Sequence, residues 1–345
     1  MKGSDSEFDK YTVQNWLDKA EKELKGKPLE ALNWDLEDNM SFAPIYFNSP
    51  EASDFSLASS KSSWVIGEKY LVQDLKATNK AILAALNMGL EGVHLVVDQS
   101  LSEVEWSQVL DKVLLKYITL ALSHSQPSGD QWKGLAAYLE RAEVEFVADQ
   151  ILIEQGLQDT TLPSLRSKPI DFIINADTPA TTMAQTFHSA SQVLRAGLKA
   201  KQAAHTFYFR VGLSKSFYLN VVYLQSLKII WQNMLDAHGA DPHTPIYIMA
   251  SAIHSTGLDE NTQMINATVQ SISAVVAGID FLEIETKKGD SNADFNRRIH
   301  RNIQHLLKLE SGMDFVENPT EGSYYFDNLT KDFSQKVWAN FQDLT

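Results

Sequence analysis

The chain has 345 residues, no cysteine, and 30 basic against 44 acidic side chains, for a net charge of −14. The missing cysteine excludes a disulfide framework, a thiolate nucleophile and a thiolate-ligated zinc or iron–sulfur centre. The acidic balance argues against nucleic-acid binding, which needs a basic face. A hydrophobic content of 44% excludes global disorder, and the length suits either two ordinary domains or one large α/β barrel.

The N-terminus, MKGSDSEFDKYTVQNW, lacks the apolar run of a signal peptide, and no uncharged stretch is long enough to span a bilayer. The expected location is therefore cytoplasmic, with no membrane and no nucleic acid among the partners. Residues 1–48 read as an N-terminal arm. WLDKAEKELKGK (Trp16–Lys27) predicts a charged helix whose apolar stripe is only Trp16, Ala20 and Leu24. Such a helix is either a solvated surface element or an arm laid on a partner subunit. An extended MSFAPIYF (Met40–Phe47) follows, and the serine-rich residues 49–63, without apolar period, read as a linker.

Residues 64–345 read as one unit, in which short apolar or β-branched runs alternate with segments of helical period. VHLVV (Val93–Val97) precedes a helix around Glu103–Val113, and YITLAL (Tyr117–Leu122) one around Gln131–Arg141. VEFVA (Val144–Ala148) comes next, then IDFIIN (Ile170–Asn175) with a helix ending near Lys199. TFYFRV (Thr206–Val211) leads to a helix through Asp236, and IYIMAS (Ile246–Ser251) to Asn261–Ala277. FLEIE (Phe281–Glu285) leads to Asp294–Leu309, and DFVEN (Asp314–Asn318) completes eight strands. Such alternation implies parallel pairing through right-handed crossovers. An open doubly wound sheet satisfies it too, but a (β/α)8 TIM-type barrel is the natural closure for eight units, and about 250 residues is its usual size.

The chemistry-bearing motifs are sparse. There is neither GxGxxG nor GxxxxGK[ST] for phosphate and no HExxH for zinc, so no metal ligands are assigned. DAHGAD (Asp236–Asp241) superficially suggests a corrinoid-binding Asp-x-His-x-x-Gly, but Asp241 stands where glycine is required, and a loop histidine explains the run. In a barrel, function gathers at the C-terminal strand ends. The polar residues there are Asp98, Ser123, Asp149, Asn175, Asp177, Arg210, Ser251, His254, Glu283, Glu285 and Asn318. His254 is the best lone acid–base candidate, against the alternative of a histidine capping a loop. Glu283 and Glu285 share a face, as a catalytic pair or, preferred, a salt-bridged rim. RRIHRNIQHLLK (Arg297–Lys308) predicts a helix with Ile299, Ile303, Leu306 and Leu307 toward the barrel and Arg297, Arg301, His300 and His305 elsewhere, the basic face paired with carboxylates or meeting a phosphate.

Three stretches together carry a resemblance: ENTQMINATVQSISAVVAGIDFLEI (Glu260–Ile284), RRIHRNIQHLLKLES (Arg297–Ser311) and ENPTEGSYYFDNLT (Glu317–Thr330). They resemble the methylmalonyl-CoA mutases, as does AEKELKGKPLEALNWDLEDNMSFAPIY (Ala20–Tyr46), which is similar to the opening of that family's subunits. The resemblance covers nearly the whole chain, and the GSYY…LT block with its arginine helix is its most specific part. It implies a (β/α)8 barrel threaded by an acyl-CoA, an adenosylcobalamin-binding flavodoxin-like domain, and the radical interconversion of methylmalonyl-CoA and succinyl-CoA, with the cofactor supplying the radical.

The chain departs from the family pattern in ways that matter for that implication. It closes at FQDLT, so no cobalamin-binding flavodoxin-like domain is expected in it. With Trp64 and Asn79 as anchors, Lys69 falls at the family's catalytic tyrosine. Thr178 falls at its acid–base histidine, Gln225 at a substrate-clamping arginine, and Asn266 at a second arginine. An amide cannot replace a guanidinium's bidentate charged contact. Within the family this describes the small, non-catalytic subunit of heterodimeric mutases, an isomerase family. The partner implied is a catalytic large subunit, with adenosylcobalamin in the assembled enzyme and not on this chain, and an acyl-CoA as a further candidate ligand. Trp16, Trp34 and Tyr46 are the expected anchors of the partner interface. The alternatives are the barrel of an active mutase for a different acyl-CoA, or a free-standing acyl-CoA-binding barrel.

Overall fold

The computed structural model describes residues 11–36, 40–48, 63–124, 131–142, 151–153, 165–166, 168–174, 177–195, 206–255, 257–287 and 292–345. A short antiparallel ribbon, β1 (Trp34–Leu36) with β2 (Met40–Phe42), precedes the main sheet. That sheet contains β3 (Val65–Val72), β4 (Gly92–Val97), β5 (Thr119–His124), β6 (Ile151–Ile153), β7 (Leu165–Arg166), β8 (Lys168–Ile173), β9 (Phe207–Gly212), β10 (Ile248–Ala252) and β11 (Phe281–Ile284). Its order is β7-β6-β5-β4-β3-β11-β10-β9-β8, and every neighbouring pair is parallel. β7 and β8 are two parts of one stretch of chain, the first pairing with β6 and the second with β9. That stretch joins both edges of the sheet, so the wall is a TIM-type barrel of eight strand positions.

Helices follow the strands and cover the outside: α2 (Leu75–Leu86), α3 (Glu103–Val109), α4 (Lys133–Arg141), α5 (Pro179–Arg195), α6 (Phe217–Ala237), α7 (Glu260–Val276), α8 (Ala293–His305) and α9 (Tyr324–Leu344). Their starts are written in the sequence. Asp74, Ser102, Ser216 and Asp259 each accept a backbone N–H from the first turn, and Ser102 forms a capping box with Glu105. α6 ends at Gly239, whose φ of +74° suits glycine, with Gly239 N–H bonded to Asp236 O and Ala240 N–H to Leu235 O. Lys228 of α6 is buried, and its Nζ donates to Ala277 O at 2.8 Å and Gly278 O at 2.6 Å, putting a cation on the carbonyl end of α7. Burial pulls the Lys228 ammonium down to about 8, against the opposing charge of Asp280.

Alternation along each strand sorts side chains inward and outward. Val65, Ala121, Leu152, Tyr208, Tyr247, Met249 and Phe281 pack together in the lumen. Outside the wall lie two apolar layers under the helices. One is drawn from residues between Ile66 and Ile153, the other from Leu36–Trp64 together with Ile170–Phe341. The ring of Phe281 lies across β3 and β4: a Cβ on Gly67 would be 2.1 Å from its Cε1, and one on Gly92 2.3 Å from its Cε2. Glycine is required at both positions by this close approach.

The strand register differs from the sequence reading at two places. The first barrel strand is β3, and the last is β11, whose pairing with β3 through Phe281↔Val65 and Leu282↔Ile66 closes the wall. DFVEN (Asp314–Asn318) is accordingly no strand. The closed wall leaves it no edge, and it turns instead, with Phe315 N–H donating to Gly312 O and Phe315 exposed. VEFVA (Val144–Ala148) and nearly all of the serine-rich stretch fall outside the described residues. The helix read over Arg297–Lys308 spans Ala293–His305 and continues as a wider π turn over Leu306–Glu310, which leaves Leu306 exposed rather than facing the barrel. Arg301, read as surface, is buried: with Arg297 it closes on Glu68, at 2.5 and 3.3 Å, beneath α8 on the outer face of β3.

In the arm, α1 runs from Val13 to Glu23, started by a Thr12–Asn15 capping box, and buries none of its residues. Trp16 is 41% exposed and meets Phe47 edge-on. Trp34 and Tyr46 instead pack on the chain's own second outer layer, Trp34 against Phe42 and Tyr218 and Tyr46 against Tyr325.

Candidate functional site at the barrel mouth

The C-terminal half of the lumen is polar. β4 presents His94, β5 Ser123, β8 Asp171, β9 Arg210, β10 Ser251 and β11 Glu283, while Lys69 of β3 and Glu285, just past β11, stand at the opening. The first six of these side chains bond one another in a chain across the lumen. His94 Nδ1 lies 2.8 Å from Glu283 Oε2, and His94 Nε2 lies 2.9 Å from Ser123 Oγ. The Ser251 hydroxyl donates to the other oxygen of Glu283 at 2.8 Å. Arg210 reaches across from β9, with Nη1 donating to Ser123 Oγ at 2.9 Å, and clamps Asp171 with Nε at 2.5 Å and Nη2 at 2.7 Å. Lys69 Nζ pairs with Glu285 at 3.1 Å.

Burial grades steeply through this layer. Glu283 is 1% exposed, whereas the side chains of Lys69 and Glu285 are 37% and 33% exposed and that of Asp171 60%. Burial alone would raise the Glu283 carboxyl. The charge and hydrogen bond of His94, the charge of Lys69 and the Ser251 hydroxyl outweigh it and hold the group well below the ordinary carboxylate range. Burial would likewise lower the Lys69 ammonium, but Glu283 and Glu285 raise it on balance, against Arg210. The site is thus a desolvated, ionised hydrogen-bond relay opening on a charged rim.

Beyond this relay the sequence candidates separate. Ser123, Arg210, Ser251 and Glu283 meet in it, and Glu285 forms the rim salt bridge with Lys69. His254 stays outside: it is exposed on the segment after β10, with Gln263 Nε2 3.4 Å from its Nδ1. His238 of DAHGAD is held by Met234 O at 2.8 Å at the end of α6. Asp149 and Asn175 fall outside the described residues. Sequence reasoning misses His94, because one polar residue inside the apolar run VHLVV carries no local sign of a partner. Its only signal is the inward parity it shares with Gly92. Among the described residues no three His, Asp or Glu side chains gather as a metal site requires, and no helix is long and apolar enough to cross a membrane.

A family model described as methylmalonyl-CoA mutase matches residues 175–345. A methylmalonyl-CoA mutase small subunit from Porphyromonas gingivalis is 22% identical over 395 residues, an alignment covering 97% of this chain and 63% of that protein. The chain belongs to the methylmalonyl-CoA mutase family. Another mutase small subunit, from Propionibacterium freudenreichii subsp. shermanii, is 24% identical over 98% of this chain and 62% of its own length. A methylmalonyl-CoA mutase from Escherichia coli is 27% identical over 48% of this chain and 24% of that protein. The chain therefore spans somewhat over three fifths of the small subunits it matches, at 62–64% of their length. Among solved structures, a dihydropteroate synthase from Thermus thermophilus superposes at a TM-score of 0.39 and 11% identity, over 72% of this chain and 94% of that one, too loosely to bear on the site.

The positions that the family resemblance sets at functional residues scatter in this barrel. Lys69 points into the mouth, while its neighbour Tyr70 is buried on the outer face, where its hydroxyl bonds Glu68. Thr178 is exposed just before α5, its carbonyl accepting from Thr182 N at 3.0 Å. Gln225 lies between α6 and α9, its amide donating to Thr320 Oγ1 at 2.5 Å and accepting from Thr330 Oγ1 at 2.8 Å. Asn266 is half-buried on α7.

Proposed function

We propose that this chain is the small subunit of an adenosylcobalamin-dependent methylmalonyl-CoA mutase, itself non-catalytic, whose role is to support a catalytic large subunit. The observation that carries the reading is the filled lumen. Phe281, Tyr208, Met249 and Leu152 occupy the axis along which the family resemblance would thread an acyl-CoA, and the Phe281 ring fills the space that Gly67 and Gly92 leave open on β3 and β4. Lys69 and Thr178 offer neither a phenol nor an imidazole at the aligned catalytic positions, and Gln225, bonded to two threonines, is turned to helix packing. The small-subunit names of the relatives aligned over nearly the whole chain point the same way.

The described residues do not fit a cobalamin. The histidine of the corrinoid-like motif is tied to the end of α6, and the cofactor is assigned to the large subunit. The large subunit's contact is assigned to the arm: α1 has no buried residue, and Trp16 stands ready to be covered. Trp34 and Tyr46, already packed on this chain's own barrel, would act by holding the arm in place. The location follows the sequence reading, a cytoplasmic enzyme.

Reconstitution tests this. The purified chain is mixed with the large mutase subunit of the same genome and adenosylcobalamin, with size-exclusion elution and methylmalonyl-CoA conversion as readouts. The expected result is a 1:1 complex that turns over only with the large subunit present, weakened by Trp16→Ala while the melting temperature of the isolated chain stays unchanged. Absence of a complex, or turnover by this chain with cofactor alone, overturns the reading.

A further inference from the structure

We propose that Ser123, His94 and Glu283 form an acyl-transfer triad at the barrel mouth, with Arg210 poised on the nucleophile, and that it cleaves small activated esters or thioesters. The geometry is that of a nucleophile, its base and the group that orients the base, brought from β5, β4 and β11. Ionised Glu283 can only accept hydrogen bonds, so the proton on His94 resides on Nδ1, 2.8 Å away. In the neutral ring this leaves Nε2 as the acceptor for the Ser123 hydroxyl at 2.9 Å. Ser251 fixes the second oxygen of Glu283 at 2.8 Å, so the orienting carboxylate is itself held.

Two further observations favour chemistry over simple packing. Arg210 crosses the lumen to place Nη1 2.9 Å from Ser123 Oγ, so a guanidinium stands beside the attacking oxygen and favours loss of its proton, itself positioned by two bonds to Asp171. And the triad lies at the end of the lumen that opens on Lys69, Glu285 and Asp171, all part-exposed, while the opposite end is filled by Phe281, Met249 and Leu152. An acyl group therefore enters from the mouth and goes no deeper, which restricts the substrate to a small acyl portion. The triad does not depend on the small-subunit reading, and it differs from radical rearrangement in needing no cofactor.

The reaction closes its own balance. The Ser123 Oγ–H proton passes to His94 Nε2 as the Oγ–acyl carbon bond forms. The carbon–sulfur or carbon–oxygen bond to the leaving group then breaks, and that group departs with the electron pair and takes the proton from Nε2. Water attacks the acyl-serine, giving its proton to Nε2. The Oγ–carbon bond breaks, Ser123 recovers the proton, and the carboxylic acid leaves.

The test uses the full chain, p-nitrophenyl acetate as substrate and a fluorophosphonate as a serine-directed probe, with peptide mass spectrometry to locate the adduct. Expected are p-nitrophenol release and a single phosphonate adduct on Ser123. Both should be lost in Ser123→Ala and slowed about 100-fold in His94→Gln, the usual scale for removing a general base. Glu283, a positioning residue, is tested by rescue: Glu283→Gln should slow labelling as His94→Gln does, and Glu283→Asp should restore most of it, with melting temperatures recorded for each variant. An adduct elsewhere, no adduct on the folded chain, or labelling indifferent to His94→Gln in a folded variant overturns the proposal.

Discussion

Glu68 and Glu283 are both buried carboxylates of the same barrel wall, one on its outer face and one in its lumen, and their surroundings drive them in opposite directions. Glu68 faces two guanidinium groups, yet burial beneath α8 outweighs Arg301, the Tyr70 hydroxyl and Arg297, and its carboxyl is raised. Glu283 has no arginine bonded to it. The charge of His94, two directed hydrogen bonds from His94 and Ser251, and the nearby Lys69 overcome a still more complete burial and leave it lowered. Burial under a helix can outweigh paired opposite charge and leave a carboxyl raised; a charged neighbour that also bonds one oxygen, with a hydroxyl on the other, keeps it ionised. Only the second arrangement provides a permanent acceptor that can orient a histidine.

Three substitutions would break or sharpen this contrast. The largest expected effect is that of Glu283→Gln, a loss of about 3 kcal/mol at pH 7 by chemical denaturation. A carboxyl lowered on folding contributes stability that is present above its ordinary value and lost as pH falls, here from 4.5 toward about 2. The difference between the variant and the natural chain should therefore shrink through that window. Arg301→Met should cost about 2 kcal/mol at pH 7 by leaving Glu68 under-paired. Glu68 is raised on folding, so its ionisation opposes stability and its protonation relieves it. The Arg301→Met loss should diminish already between pH 7 and 5. Equal pH slopes for the two variants would remove the contrast. The smallest effect is that of Lys69→Met, under about 1 kcal/mol and absent in molar salt, because the Lys69–Glu285 pair is about one-third exposed.

Much of the wall could be read from the chain alone, and the exceptions have physical causes. VHLVV, TFYFRV and FLEIE announce themselves as strands because their outward faces sit under helices and supply an apolar residue at every second position. β3 does not: VIGEKYLV carries glycine where Phe281 must pass, glutamate where two arginines arrive, and lysine at the solvent mouth. Each is explained by a neighbour more than 200 residues away along the chain, as the separations of 216 and 233 for Lys69–Glu285 and Glu68–Arg301 make plain. DFVEN misleads in the converse manner, since local β propensity says nothing about whether a sheet has an edge left to receive it. The site divides similarly. Strand-end position flags Ser123, Arg210, Ser251 and Glu283, whereas the bond between His94 and Glu283 exists only because closure puts β4 and β11 on either side of β3.

The two outer apolar layers have a consequence for how the chain is made. The layer under α2 to α4 draws on residues between Ile66 and Ile153, so it can assemble from neighbouring βαβ units while the ribosome is still at work. Leu36, Met40, Phe42 and Trp64 are synthesised earlier still, but their packing partners begin at Ile170 and extend to Phe341. During translation, this first-made stretch waits on the last-made one. The pairing of β3 with β11, and the bond from Val65 N–H to Asp280 O, join strands at the two ends of the barrel sequence and must likewise come late. An unfinished chain thus displays Phe42 and Trp64 as uncovered aromatic surface for most of its synthesis. The N-terminal segment is where a nascent-chain chaperone would find its handle.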